Sequence, residues 1–219
     1  MTRGRASTER VTDQAIPGAR RPLRPRRVEE FDAAYAATPP WDIGRPQPAF
    51  VELAEAGAVC GRVLDVGCGT GEHALLAASL GLAATGVDAA PAAIALAESK
   101  ARDRGLTARF IVADGLQLRS LGEQFDTVLD SGVFHVFEDD DRTRYVDSLR
   151  AAIVPGGRYF MLCFSERQPG DWGPRRVTQD EIRASFGEGW RIESIEPARF
   201  VITISPDGAF AWRSTITRT

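Results

Sequence analysis

The stretch Val63-Leu64-Asp65-Val66-Gly67-Cys68-Gly69-Thr70-Gly71 decides how the rest of the chain is read. A short apolar strand, Arg62–Val66, runs into three glycines at alternate positions, and Glu72–Leu80 then carries a helical pattern that Gly81 stops. Glycines here let the backbone turn sharply and approach a ligand closely. In α/β sheets ligands sit beyond the carboxyl ends of the strands. Such a loop occurs in several kinds of nucleotide-binding protein, but its spacing departs from G-x-G-x-x-G because Thr70 is followed directly by Gly71. Asp65, two residues before the loop, disfavours a pyrophosphate beside it and favours a ligand that carries positive charge.

Outward from the loop, strand and helix alternate. Ala83–Val87 is a strand ending at Asp88. Pro91–Arg104 is a helix with proline in its first turn and Gly105 past its end. Arg109–Ala113 and Phe125–Leu129 are strands, Asp141–Ile153 a helix broken by Pro155-Gly156-Gly157, and Arg158–Phe164 a further strand. Thr178–Phe186 is a helix opened by a capping box from Thr178 to Glu181. The late strands are Trp190–Ser194, extended through Phe200–Ser205, and Ala209–Thr217, with a turn at Pro206-Asp207-Gly208. The alternation predicts an α/β fold with a doubly wound, mostly parallel sheet, and the short turn makes the last strand antiparallel. Three acids then fall at three successive strand ends. Asp88 is placed to accept from both hydroxyls of a ribose, with Ala89 beside it, and Asp114 to accept from an adenine amino group, with Gly115 and Leu116 flanking the ring.

The 219-residue chain, 43% hydrophobic, is long enough for one full α/β domain plus a tail. It has no apolar run of the roughly 18 residues that a membrane span needs, and its net charge of −3 gives no overall basic field for nucleic acid. Residues 1–27 hold Arg3, Arg5, Arg10, Arg20, Arg21, Arg24, Arg26 and Arg27 among Pro, Gly and Thr, a composition expected to stay disordered. They contain no apolar core of a secretory signal. Cys60, Cys68 and Cys163 do not read as a disulfide framework, so a cytoplasmic protein is expected. Residues 28–57 read as a helical lid: Phe31 and Tyr35 share a helix face, Thr38-Pro39-Pro40-Trp41 ends that helix, and Ala49–Ala56 is a second helix stopped by Gly57. Residues 58–219 form the main domain.

These motifs together resemble the class I S-adenosylmethionine-dependent methyltransferases. Val63–Gly71 is similar to their first motif, Gly86-Val87-Asp88 to the second, Ala113-Asp114-Gly115 to the third, and Phe125-Asp126-Thr127-Val128-Leu129-Asp130 to the fourth-strand motif. Leu149-Arg150 through Val154-Pro155-Gly156-Gly157 resembles the element before their fifth strand. The resemblance implies a seven-stranded sheet with an antiparallel last strand and S-adenosylmethionine as methyl donor. It also implies that Asp65, Gly67, Cys68, Gly69, Thr70 and Gly71 line the methionine end, Asp88 and Ala89 the ribose, Asp114, Gly115 and Leu116 the adenine, with Asp130 also at the cofactor. The segment from Pro40 through Trp41 to Pro48 resembles the N-terminal lid of thiol, halide and thiopurine methyltransferases, and most of all that of mycobacterial heterocyclic toxin methyltransferases acting on hydroxyquinolone- and quinone-like aromatics. Gly173–Thr178 resembles the same group. A lid residue, Trp41, is then expected at the cofactor, and O-methylation of a planar heteroaromatic hydroxyl is the expected reaction.

For the acceptor, Phe31, Tyr35, Trp41, Phe134, Phe137 and Trp172 are candidates to stack on a planar ring, and His135 is the candidate general base, its ordinary pKa near 6.5 suiting neutral pH. Asp139-Asp140-Asp141 reads as an acidic helix N-terminus and not as a metal site. A small molecule is the expected partner, with neither nucleic acid nor membrane, in a monomer or homodimer. The alternatives are S- or N-methylation of a small thiol or heterocycle and, in other classes, an NAD-dependent oxidoreductase or a non-catalytic cofactor-binding module.

Overall fold

The computed structural model describes residues 28–219; the segment expected to be a disordered tail lies outside the described residues. In chain order the elements are α1 (Val28–Ala34), α2 (Pro48–Glu55), β1 (Arg62–Val66), α3 (Glu72–Ser79), β2 (Ala83–Asp88), α4 (Pro91–Asp103) and β3 (Arg109–Val112). A 3-10 turn (Gly115–Leu121) leads to β4 (Phe125–Ser131), a second one (Phe134–Val136) to α5 (Asp139–Ala152), and then come β5 (Ile153–Phe164), α6 (Gln179–Ser185), β6 (Trp190–Ile202) and β7 (Ser205–Arg218). The seven strands form one sheet in the order β3-β2-β1-β4-β5-β7-β6. β1 to β5 run parallel, and β7 is antiparallel to both of its neighbours. Among the described residues no helix is long and apolar enough to cross a membrane.

Two turn placements differ from the sequence expectation. Pro155-Gly156-Gly157 does not separate helix from strand: α5 runs straight into β5 at Ile153, and the three residues bulge between the Phe125–Ile153 and Thr127–Arg158 pairs. The last hairpin turns at Thr203-Ile204, because Ile202 pairs with Ser205. Pro206-Asp207-Gly208 lies in an irregularity of β7 before Ala209 pairs with Phe200. Pro206 has no N–H for a ladder, and Gly208 takes the left-handed φ of +65° with Phe200 O 2.7 Å from where a Cβ would stand, so these residues make a bulge inside the hairpin and not its tip.

Period-two alternation sends side chains to the two faces of the sheet. Leu64, Val66, Val128, Tyr159, Met161 and Cys163 pack with α5 and α6, while Val63, Leu129, Phe160, Leu162 and Phe164 pack with α2 and α3. Asp65 and Asp130, acids at the ends of neighbouring strands, therefore enter opposite layers. Both are completely buried.

Residues 28–47 are held mainly by polar bonds, with Tyr35 resting on the glycine loop, whereas α2 is anchored by burial of Ala49 and Phe50. α1 buries no residue; its Asp32 Oδ1 accepts from Ala92 N (2.8 Å) in the first turn of α4, whose own N-cap Ala90 has no side-chain acceptor. α2 seats Phe50 against His73. Between them Pro40 O accepts from Thr203 N at 2.9 Å. Gln47 is buried, its side chain donating to Val201 O (2.8 Å) and accepting from Val201 N (2.9 Å). Val201 sits at the register shift of β6, so its backbone groups take Gln47 in place of a strand partner. We expect Gln47→Ala to cost about 1–3 kcal/mol of unfolding free energy and to speed amide exchange at Val201 and in residues 36–46, read by hydrogen-exchange mass spectrometry. Unchanged protection there would remove Gln47 as the fastener of this segment.

Candidate active site

The glycine loop leaves β1 under tight steric control. Gly67 has φ +61°, and a Cβ on it would stand 2.2 Å from Val133 Cγ2; only hydrogen fits, whatever the φ. Gly69 has φ +52°, with the Tyr35 hydroxyl 2.8 Å from the place of a Cβ, so α1 rests directly on the loop. Cys68 N donates to Val87 O at 2.9 Å, stitching the loop to β2. The Cys68 thiol is buried and contacts Gly69 O at 3.6 Å; burial first, then Asp65 and Asp88, push its pKa well up.

Asp65 lies beneath the loop. Its Oδ2 accepts from Ala74 N (3.1 Å) and so fixes the first turn of α3, while Oδ1 is sealed with no hydrogen-bond partner, 3.8 Å from His73 Nδ1. Burial raises its pKa well above the usual carboxylate range. His73 Nε2 accepts from Gln47 N at 3.1 Å, so Nδ1 carries the proton and faces Asp65; burial pulls the imidazole down to about 4. Thr70 turns away from the loop mouth. Its hydroxyl donates to Asp42 Oδ2 (2.9 Å) and accepts from Lys100 Nζ (2.6 Å), and Lys100, the chain's single lysine, also bonds Glu72 Oε1 (2.8 Å). Despite its burial, bonds from Arg104 and Lys100 hold Glu72 below the usual carboxylate range. Thr70 thus fastens loop to lid, a job its place in the motif did not reveal.

Asp88 ends β2 with Oδ2 accepting from Gly69 N (2.9 Å) and Oδ1 from Ala90 N (2.9 Å), which places Ala89 in the turn they close. The Ala89 amide bonds the carboxylate as well, so three backbone donors hold it, and burial still raises its pKa. Asp114 is exposed after β3; its Oδ1 accepts from Leu116 N (2.9 Å) and so caps the first 3-10 turn. Gly115 O accepts from Ser148 Oγ at 2.7 Å, and Leu116 packs on the core.

Asp130 is not a cofactor-facing acid. Its Oδ1 accepts from Val133 N (2.7 Å), and its Oδ2 from Phe134 N (3.2 Å), Tyr145 Oη (2.9 Å) and Tyr159 Oη (2.5 Å). Burial raises it to about 6 in spite of those four donors. Completely buried and held by four donors inside the core, it sets the path of the chain after β4.

The six aromatics expected around an acceptor divide into three groups. Phe31, Tyr35 and Trp41 gather edge-to-face over the glycine loop, centroids 6.1 and 6.3 Å from Trp41, with Trp41 Nε1 donating to Tyr35 Oη (3.1 Å). Phe134 and Phe137 belong to the core: Phe134 is fully buried between Phe186 (5.8 Å) and the Arg142 guanidinium (4.7 Å), and Phe137 packs on Tyr145 (5.0 Å). Trp172 stands alone of the six beside β5, edge-on to Phe164 at 5.8 Å.

His135 is brought to the end of β4 but is not a free base. Its Nδ1 accepts from Phe164 N at 2.9 Å, which puts the proton of the neutral ring on Nε2. Burial, then the charges of Arg142 and Arg176, bring its pKa down to about 3. The ring meets Phe164 edge-on (5.2 Å) and lies over Phe200 at 5.9 Å; Phe200 and Phe164 meet at 5.4 Å. Nε2 comes within 3.0 Å, and the Phe200 ring within 3.2 Å, of where a Cβ on Gly132 (φ +91°) would stand. Arg176 lies over Phe164 (5.4 Å) and Trp172 (5.7 Å) while bonding the carbonyls of Pro174 and Trp172. Phe200, His135 and Phe164, all buried, and the exposed Trp172 thus form an aromatic wall next to Gly132. Phe164, Phe200 and Arg176 were not named as site residues from sequence: Phe164 and Phe200 sit in segments read only as strand, Arg176 in a stretch noted only for its family resemblance, and no spacing signal joins residues 135, 164 and 200. The acidic run is placed as expected, in the first turn of α5, with Asp139 bonded to Arg175 and Asp141 to Arg144.

A family model described as a methyltransferase domain matches residues 63–157. The chain is 42% identical, over 173 residues that are 78% of it and 76% of its relative, to a 2-heptyl-1-hydroxyquinolin-4(1H)-one methyltransferase of Mycobacteroides abscessus. It is 41% identical to a solved structure concerned with the conversion of a disulfide bond into a thioacetal group during echinomycin biosynthesis, with a TM-score of 0.81 over 88% of this chain and 93% of that one. A 1,6-didemethyltoxoflavin-N1-methyltransferase of Burkholderia thailandensis, solved with 1,6-didemethyltoxoflavin and S-adenosylhomocysteine, shares the fold with a TM-score of 0.65 at 21% identity, over 88% of this chain and 87% of that one.

The Asp130 cluster carries its own test. We expect Tyr159→Phe to lower the unfolding free energy by about 1–3 kcal/mol in urea denaturation, because a buried charge-assisted bond is lost and nothing replaces it. A stability equal to wild type would mean that the hydroxyl does not hold the carboxylate.

Proposed function

This chain belongs to the class I S-adenosylmethionine-dependent methyltransferases, and we propose that within that family it methylates a small planar aromatic or heteroaromatic molecule, on a hydroxyl oxygen in preference to sulfur or nitrogen. S-Adenosylmethionine is its methyl donor, and it supplies an electrophilic methyl on a sulfonium. The residues present fit that group. The sealed Asp65 Oδ1 lacks a partner beneath a loop of positive-φ glycines, a place that favours positive charge at the methionine end. Asp88, already held by three backbone amides, keeps an acceptor direction for a ribose hydroxyl, and Asp114, exposed with Oδ1 on Leu116 N and Oδ2 3.4 Å from Gln117 Nε2, is the acid on the adenine side.

The observation that carries the acceptor assignment is the wall of Phe200, His135, Phe164 and Trp172 beside Gly132. Flat faces and edges of this kind favour a planar ring. Similarity to a hydroxyquinolone methyltransferase supports the same class. With an electrophile this strong, the protein's main tasks are to align the acceptor and exclude water, and orientation alone supplies roughly 7–11 kcal/mol. The cover of Phe31, Tyr35 and Trp41 excludes water on the cofactor side. S-Methylation is the second reading, favoured by the similarity to the structure in which a disulfide becomes a thioacetal. Residues 28–57 act as the lid, residues 58–219 as the catalytic unit, and three free cysteines suit the reducing cytoplasm.

Two experiments test this. A screen of phenols, hydroxyquinolones, quinols and thiols, with products identified by mass, is expected to give O-methyl products from planar hydroxy-heteroaromatics; turnover of aliphatic thiols alone would replace the reading with the second one. Asp88→Ala is expected to weaken S-adenosylhomocysteine binding by about 10- to 100-fold, equivalent to roughly 1.4–2.8 kcal/mol, in calorimetry. An unchanged affinity would reject its ribose role.

A further inference from the structure

The hydrogen bond that fixes His135 also fixes what it can do. Phe164 N–H points at Nδ1, and a backbone amide cannot reverse its polarity, so the neutral imidazole carries its proton on Nε2. Nε2 has no hydrogen-bond partner among the described residues, yet it is not one of the sealed polar atoms. It therefore presents an unused N–H donor next to Gly132, at the end of β4. The charged groups that act on the ring are cations, Arg142 from α5 and Arg176 from the loop before α6. The rings of Phe164 on β5 and Phe200 on β6 bring no charge.

The carboxylates nearby are committed elsewhere. Asp130 on β4 is held by four donors. Glu166 accepts from Trp212 Nε1, Glu138 and Glu181 pair with Arg175, and Asp171 stands out in solvent with its charge toward Arg176. The wall thus offers a donor and positive potential, and no proton acceptor.

We propose that the enzyme takes its acceptor already ionised, as an aromatic oxyanion from an acidic hydroxyl, and that the Nε2–H of His135 binds and aims that anion, with no general base in the reaction. This rests on the aromatic-acceptor reading above and narrows it to hydroxyls acidic enough to be ionised near neutral pH. The step balances without a proton transfer. A lone pair of the acceptor oxygen forms the new O–C bond, the C–S bond breaks with its pair left on sulfur, and the negative and positive charges cancel. A neutral hydroxyl would leave a proton that nothing at the wall can take.

The test uses the full chain with S-adenosylhomocysteine and para-nitrophenol, whose absorbance separates phenol from phenolate. Titration of the bound phenol is expected to show its pKa lowered by at least one unit relative to water. The shift should persist in part in His135→Gln, which keeps a donor, and vanish in His135→Phe. Independently, kcat/KM of the wild-type enzyme should rise with pH and level off at a break that follows the acceptor's own acidity across substituted phenols. A break at one fixed pH for every phenol, or para-nitrophenol bound as the neutral phenol, would overturn the inference while sparing the aromatic acceptor. Failure of every phenol and hydroxyquinolone to bind or react would overturn the aromatic-acceptor reading itself.

Discussion

A carboxylate buried at the end of the central strand organises both halves of the site. Asp130 gathers two tyrosine hydroxyls and two backbone amides, and those bonds dictate how the chain leaves β4. Because Val133 N and Phe134 N must both point back at the carboxylate, Gly132 takes a left-handed turn. Val133 is thrown against Gly67 on the cofactor side, and His135 reaches Phe164 on the acceptor side. Burying an ion is costly unless its lone pairs are filled. Four donors meet that need, and the same four fix the geometry. The same carboxylate therefore ties the loop and the wall to one another, which a purely apolar core at this point would not do.

Much of the fold was legible because its signals are local. The strand–glycine–helix unit at Val63–Gly71, the proline and glycine that bracket α4, and the Thr178–Glu181 capping box each depend on neighbours a few residues apart. The bulges at Pro155–Gly157 and Pro206–Gly208 were misplaced because Pro and Gly mark a departure from regular structure without saying whether it ends a strand or only kinks it. The site was harder to read. Asp130 follows the same pattern as Asp88, an acid at a strand end, but an odd or even place in the strand decides the layer it enters, and Tyr145 and Tyr159 wait in that layer. Phe134 and Phe137 flank His135 in sequence, yet a 3-10 turn sends them into the core. The acceptor wall draws on β4, β5 and β6, and only the sheet order brings those ends together.

Residues 28–47 follow a different physical logic from the core. α1 buries no residue, and the chain from it to Gln47 is attached by polar bonds, Asp32 to Ala92, Asp42 to Thr70, Pro40 to Thr203 and Gln47 to Val201, while only α2 beyond it buries Ala49 and Phe50. Each such bond is worth about 0.5–1.5 kcal/mol net, so local opening costs far less than unfolding the sheet. The bonds also have a shared foundation. Thr70 belongs to the glycine loop, and His73, which receives Gln47 N–H, presents its other nitrogen to Asp65. Lid, loop and β6–β7 hairpin are therefore read against one another through a few buried polar atoms, and whatever settles the unpartnered oxygen of Asp65 also bears on the hold of the lid.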